Sequence, residues 1–318
     1  MSNKKRILII GGSGFIGSYL IKELLKQDNE IFNFDKSLSS ISSSNLDSIV
    51  GNVENLKDFK KIPANIDCVY ILAAEHKDDI SDYNKYYNTN HQGMKNIIVH
   101  CIESSINEII FYSSAAVYGN NFTNSSEEDI NLNPENHYGK SKALAESELN
   151  NWVKKNEGRK LIIIRPSVVY GKGSKSNMNR MIDYIMKGRF IMVGKGNNVK
   201  TVCYVENLVD FTLHAQNSFN QSYQVYNYAD FPHYEMNKLI EKISDILEKR
   251  IIKIPYALAY SIGLCFDLIS FITNKKNNMS SERVRKFCSN TSLSTKKIED
   301  LGYKLRYNFT DSINKSIK

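Results

Sequence analysis

The chain has 318 residues, 42% of them hydrophobic and 24% charged, with only five prolines. That composition excludes a disordered, collagenous or low-complexity chain, and the length suits one large α/β unit with a smaller appended lobe. Forty-two Lys plus Arg against 34 Asp plus Glu leave a net charge of +8, which favours an anionic partner; the basic residues are scattered, so no nucleic acid is expected.

In chain order, the apolar run Ile7 to Ile10 is too short for the core of a signal peptide and reads as a strand. Strand-type runs then alternate with helix-type segments: strands at 6–10, 30–35, 68–73, 108–113 and 161–165, helices over 15–26, 87–104 and 139–155. This βαβ rhythm predicts a doubly wound parallel sheet of Rossmann type with helices on both faces, in an α/β fold. Beyond residue 170 the order degrades into short strands and helices. The division expected is a cofactor-binding domain over 1–170 and a mixed, mainly helical substrate lobe over 171–318, interleaved with the first because no flexible linker separates them.

The segment Gly11-Gly12-Ser13-Gly14-Phe15-Ile16-Gly17 follows the first strand and opens the first helix. Glycines at 11, 14 and 17 allow a tight turn, close approach to a pyrophosphate and packing of helix on strand, with the helix N-terminus facing the phosphates. Asp35 closes the next strand, where a carboxylate can accept both adenosine-ribose hydroxyls and would repel a 2′-phosphate. NAD is therefore expected rather than NADP, with the adjacent Lys36 as the opposing feature.

Ser114 ends an apolar strand 24 residues before Tyr138, at the edge of the sheet where ligands bind. Tyr138 and Lys142, four apart, share one helix face, so the ammonium can bring the phenol into a usable range for proton transfer. Tyr234 and Lys238 repeat that spacing without a strand-end hydroxyl or a glycine loop, and read as a solvated helix face. Farther on, 254–272 is the longest apolar stretch, broken by Asp267. A helix buried in the substrate lobe is expected there, ahead of a peripheral membrane or partner contact, while Pro255 and Asp267 argue against a span.

Cys68, Cys101, Cys203, Cys265 and Cys288 have no CxxC spacing, and no His/Cys cluster has zinc-ligand spacing. Neither a disulfide framework nor a metal site is expected, and a reducing cytoplasm fits.

Together the pieces IGGSGFIG, Ala73-Ala74, Asn90-His91-Gln92-Gly93, SSAAVYG, YGKSK, RPSVVYG and Tyr204-Val205-Glu206-Asn207-Leu208 resemble the extended short-chain dehydrogenase/reductase family of NAD-dependent nucleotide-sugar epimerases and dehydratases. The segment 73–79 and the stretch 200–207 resemble a bacterial surface-polysaccharide branch. The resemblance implies that Tyr138 is the acid/base, that Lys142 binds nicotinamide ribose and tunes Tyr138, and that Ser114 holds the sugar oxygen. It implies cofactor contacts from Gly11, Ser13, Gly14, Phe15, Ile16, Gly17, Asp35, Ala73 and Ala74, with adenine met by Asn52 and Val53, where the family commonly has Gly-Asp-hydrophobic. His76, after the fourth strand, is expected either to face the sugar or to be a solvated loop histidine. Lys200, in the place of a usual arginine, and Arg283 would meet the diphosphate of a nucleotide-diphosphate sugar. Lysine keeps the charge there but loses the bidentate fork.

Asn90 is expected to have a structural role, and no partners are assigned to His91, His100, His137, His214 and His233. Dehydratases of the family carry carboxylates just after the catalytic Ser/Thr, and the epimerase/reductases carry a Cys; this chain has Ala115 and Ala116. The expectation that remains is C4 epimerisation by transient hydride transfer, with reduction of a 4-keto sugar as the alternative. A non-catalytic cofactor-binding sensor or scaffold is the reading of another class, disfavoured because Ser114, Tyr138 and Lys142 are all present. The family also implies a homodimer through the helices at 87–104 and 139–155.

Overall fold

The structure is a computed structural model that describes residues 4–77, 80–120, 122–125, 132–218, 221–273 and 280–317. Its first half runs β1 (Arg6–Ile10), α1 (Phe15–Leu25), β2 (Glu30–Asp35), β3 (Leu46–Val50), β4 (Cys68–Ile71) and a short α2 (Asn84–Tyr86). A π-helical stretch, Tyr87–Gln92, leads from α2 into α3 (Gly93–Glu103), followed by β5 (Glu108–Tyr112), β6 (Phe122–Ser125), α4 (His137–Lys154) and β7 (Lys160–Pro166). The second half comprises β8 (Val168–Tyr170), α5 (Asn177–Met186), β9 (Ile191–Val193), β10 (Val202–Tyr204), α6 (Val205–Asn217), β11 (Tyr223–Tyr228) and α7 (Met236–Ile246). It ends with β12 (Ile252–Ile254), α8 (Tyr256–Thr273), α9 (Ser281–Cys288), β13 (Thr291–Leu293), α10 (Lys296–Asp300) and α11 (Phe309–Ile317).

The main sheet has seven strands in the order β11-β7-β5-β4-β1-β2-β3, and all its pairs are parallel. A parallel sheet is covered on both faces, which is why strands such as Ile7 to Ile10 and Leu161 to Ile164 read as unbroken apolar runs. Alternate side chains enter opposite layers. Leu8, Ile10, Phe34 and Ile163 pack with Met94 and Ile97 of α3 and Leu149 and Trp152 of α4; Ile7, Ile9 and Ile162 pack with Leu20 and Leu24 of α1 and Leu208 and Phe211 of α6. A third cluster, including Tyr170, Ile182, Met192, Leu239 and Ile240, forms the core of the second lobe.

Residues from the second half of the chain return to the main sheet and its helices. β11 and the packing of α6 on α1 bring residues beyond 170 back to the first layer, and β13 pairs with β6 across the chain. The strand order turns between β1 and β4, which opens a crevice at their carboxyl ends.

One expectation is overturned. The apolar stretch 254–272 is not buried: within α8 only Ala259 and Gly263 are, while most of its large apolar side chains face out. Among the described residues, α8 is also the one helix long and apolar enough to cross a membrane by length and composition.

Candidate active site

The glycine loop takes its shape from close contacts. Gly11 has φ +90°, and a Cβ there would come within 2.3 Å of the Ala73 backbone nitrogen. At Gly17 a Cβ would lie 2.5 Å from the Gly12 Cα, so helix α1 can sit this near the loop only without a side chain. Helix α1 begins at Phe15 with Gly14 as its cap and no side-chain acceptor, which leaves first-turn N–H groups for a ligand.

Asp35, at the end of β2, accepts the Ser13 and Ser37 N–H groups at 3.1 Å each. Lys36 turns instead to Glu54, at 3.2 Å, and Thr89 also donates to that carboxylate. The cation that opposed an NAD preference is thus already paired. Beneath the loop, Asn33 is fully buried; its Nδ2 donates to the Ser13 Oγ at 2.9 Å while its Oδ1 has no hydrogen-bond partner. Asn52 accepts the Glu54 N–H through its side-chain oxygen, and Val53 is buried against Gly93. A cradle that a Cβ would fill, an uncapped helix start and a carboxylate at the end of β2 fit a dinucleotide.

Ser114 follows β5 and caps the short turn Ala115–Tyr118, its Oγ accepting the Ala116 N–H at 3.1 Å. Helix α4 starts at His137, capped by the Asn136 side chain, which accepts the Gly139 N–H at 2.7 Å. A Cβ on Gly139 would fall 2.3 Å from the Ala116 carbonyl oxygen. Gly139 and the small Ala116 therefore let the start of α4, which carries Tyr138, press onto the turn that Ser114 opens.

Lys142 is 2% exposed; its Nζ donates to the Tyr112 carbonyl oxygen at 2.6 Å and lies 4.2 Å from the centre of the Phe111 ring. Burial pushes the Lys142 ammonium down to about 7, against the opposing pull of the Glu146 carboxylate. Lys142 Nζ thus sits at the end of β5, the strand that leads into the turn Ser114 caps, and Tyr138 lies in the first turn of the same helix as Lys142. Such a set of side chains could move a proton at a carbinol, and a nicotinamide held by the glycine cradle would supply the hydride acceptor.

Several supporting residues have no motif of their own. Asn90, in the π-helical stretch, accepts the Glu75 N–H at 2.8 Å and donates to the Glu75 carbonyl at 3.0 Å and to the Ser141 Oγ at 2.8 Å. It ties the loop after β4 to α4, the structural role expected of it. Ser113 donates to Glu146, which Arg165 of β7 also holds. The signal that could have found Glu146 is its spacing: it lies one turn beyond Lys142 on the same face of α4.

His76 is exposed in the loop after β4. Asp78 and Asp79, in the same motif, lie outside the described residues. Lys200 is half-buried and lines a cavity of about 290 Å³ with Asp230, Pro232 and Tyr303. Burial lowers the Lys200 ammonium, and the Cys288 thiol at the end of α9 acts in the opposite sense. Arg283 is exposed in the first turn of α9, the helix that ends at Cys288.

Three readings need correction. His137 does have partners: it stacks on Tyr83 with ring centres 4.3 Å apart, and the Tyr87 hydroxyl is 3.0 Å from its Nδ1. His91 meets Glu148 at 2.9 Å. Tyr234 does not share a helix face with Lys238, because α7 begins only at Met236; its ring packs on Phe309 instead.

The model of the NAD dependent epimerase/dehydratase family matches residues 7–229. Over 98% of this chain and 94% of its own length, an Escherichia coli O157:H7 protein named N-acetyl-alpha-D-glucosaminyl-diphospho-ditrans,octacis-undecaprenol 4-epimerase is 37% identical. A Vibrio cholerae UDP-glucose 4-epimerase is 27% identical over 79% of this chain and 78% of its own. Among solved structures, the Thermus thermophilus UDP-glucose 4-epimerase in complex with NAD has the same fold, with a TM-score of 0.73 at 18% identity, covering 98% of this chain and 97% of that one. A family match across the crevice, the glycine loop and the start of the second lobe leaves one conclusion: the chain belongs to the NAD-dependent epimerase/dehydratase family of enzymes.

Proposed function

We propose that the protein is a C4 epimerase of an N-acetylhexosamine carried by diphosphate on a polyprenol, in bacterial surface-polysaccharide assembly. The observation that carries this reading is the 37% identity, across nearly the whole chain, with a relative named for that reaction; the UDP-glucose 4-epimerases of Vibrio cholerae and Lactobacillus helveticus match at 27%. The expected nucleotide-diphosphate sugar shares the part of the substrate the site would hold, a hexose on a diphosphate.

In this reading the glycine loop, through Gly11, Ser13, Gly14, Phe15, Ile16 and Gly17, holds the cofactor diphosphate, and Asp35 takes the adenosine ribose. Asn52 and Val53 meet adenine, while Ala73 and Ala74 line the path toward the reacting carbon. Bound NAD supplies a reversible hydride acceptor, so the reaction is redox-neutral overall. Tyr138 takes the C4 hydroxyl proton and later returns it, and Ser114 donates a hydrogen bond to the same oxygen. Lys142 holds the nicotinamide ribose and favours the phenolate. Lys200 and Arg283 anchor the substrate diphosphate, and His76 faces the sugar, which must present both faces of C4 in turn. Ala115 and Ala116 offer no carboxylate for elimination of water, which supports epimerisation over dehydration.

The enzyme is proposed to work in the cytoplasm as a homodimer. All five cysteines are free, three of them buried, and Val99, Ile102 and Leu144 are exposed on α3 and α4, where the partner would pack.

The test is to incubate the protein with NAD and either a short-chain polyprenyl-diphospho-N-acetylglucosamine or UDP-N-acetylglucosamine, following the sugar resonances by NMR. Interconversion of the C4 epimers of the lipid-linked sugar is expected. Turnover of the nucleotide sugar alone would reject the lipid-linked substrate, and stoichiometric NADH consumption with a 4-keto sugar, without epimer exchange, would identify a reductase.

A further inference from the structure

Helix α8 inverts the pattern of an ordinary surface helix. Between Tyr256 and Thr273 its only charged residue is Asp267, and that carboxylate faces the protein. Ser281, at the start of α9, donates to it through its N–H at 3.1 Å and its hydroxyl at 2.5 Å. Gly263 lies on the same face, where a Cβ would come within 2.7 Å of the Ser281 nitrogen. The inward face is therefore small and polar.

The outward face is apolar. Leu264, Leu268 and Ile272, four residues apart, form one stripe with exposures of 48%, 59% and 71%, and Phe271 beside them is 81% exposed. On the β9–β12 pair that leads into α8, Ile191 and Ile252 are register partners and both are exposed. An exposed apolar helix face of this kind marks an interaction site.

Charge indicates what covers it. The segments 187–195 and 248–254, which carry β9 and β12, expose Lys187, Arg189, Lys195, Lys249, Arg250 and Lys253 against a single acid, Glu248. An exposed apolar helix face together with a lysine- and arginine-rich pair of strands leading into it matches the headgroup layer of an anionic membrane. The anchoring of Asp267 and Gly263 on α9 keeps the helix along the protein rather than free to span.

The start of the helix also lies near the site. A Cβ on Gly194, just after β9, would come within 3.6 Å of the Tyr256 Cβ and 3.8 Å of the Cys288 Sγ, and Cys288 is the group whose field reaches Lys200. The start of α8 thus stands beside the proposed diphosphate anchor.

We propose that α8, together with Ile191 and Ile252, docks on an anionic phospholipid surface, so that a diphosphate reaching Lys200 keeps its lipid chain in the bilayer. The second half of this statement rests on the lipid-linked substrate proposed above; the docking itself does not.

The test is flotation of the full-length protein with vesicles of phosphatidylcholine alone or mixed with phosphatidylglycerol, at low and high salt, for the native chain and for Leu268→Glu/Ile272→Glu. Both side chains are exposed, so the variant should keep its fold, its NAD binding and its turnover of a short soluble substrate. Native protein should float with the phosphatidylglycerol vesicles and be released by salt, and the variant should bind about tenfold more weakly or less. Absence of flotation, equal binding to neutral vesicles at all salts, or equal binding by the variant would each overturn the proposal. So would a native oligomer that the variant dissociates while vesicle binding is absent, which would make the face a protein interface. Vesicle docking without any epimerisation of the lipid-linked sugar would leave the surface in place and reject the proposed substrate.

Discussion

Arg165 on β7 grips Glu146 on α4 at two points, Nη2 to Oε2 at 2.6 Å and Nε to Oε1 at 3.0 Å, with both side chains buried. Arg165 also donates to the Tyr118 hydroxyl at 2.8 Å, which in turn donates to Asn227 of β11 at 2.8 Å. Ser113 reaches the same carboxylate. One ion pair therefore joins the end of β5, the turn that Ser114 opens, the helix that carries Tyr138 and Lys142, and two further strands.

A buried pair is costly to break from one side, because the remaining charge is left without a counterion. Glu146→Ala should lose about 3–5 kcal/mol of stability in denaturant unfolding. The double change Glu146→Ala/Arg165→Met should cost less than the sum of the two single changes. Additive losses would show that the two side chains are not coupled.

Tyr138→Phe should lower turnover by about 10²–10⁴-fold, the usual contribution of a positioned acid/base, with NAD affinity unchanged by fluorescence titration. Tyr234→Phe, packed against Phe309, should leave turnover as it is. Comparable losses from both replacements would remove Tyr138 from the proposed chemistry.

NAD should bind more tightly than NADP. The 2′-phosphate would meet the Asp35 carboxylate, and Lys36 is committed to Glu54. Asp35→Ala should narrow the difference in calorimetric titrations, and a native preference for NADP would contradict the assignment of Asp35.

Lys142 makes stability depend on pH in a defined window. Its folded value is about 7 against an ordinary 10.5. Between these values the unfolded chain holds a proton that the folded chain has released, so stability from this group rises with pH across that range. Below about 7 both states are protonated and the cost of burying the charge is fully present. Unfolding free energies of cofactor-free protein at pH 7, 8 and 9 should therefore rise less steeply for Lys142→Met than for the native chain; parallel slopes would show that Lys142 stays charged when folded.

The sequence by itself determined whatever depends on local spacing. Unbroken apolar strands, glycines at 11, 14 and 17, Asp35 at a strand end, and Tyr138 four residues before Lys142 on one helix are local patterns with local physical causes, and each is found where it was read. They specify a parallel sheet and a dinucleotide loop because backbone reach and helix periodicity act over a few residues.

Only the tertiary structure decided which distant groups meet. Glu146 and Arg165, 19 residues apart, pair because α4 packs beside β7. Gly139 matters because the Ala116 carbonyl stands where its Cβ would be, and no periodicity encodes that. The same holds for α8. Its composition fits a core helix, and whether its apolar face is buried depends on what the rest of the fold can place against it. Here α9 covers one side, holding Asp267 inward, and among the described residues the leucine stripe is left exposed.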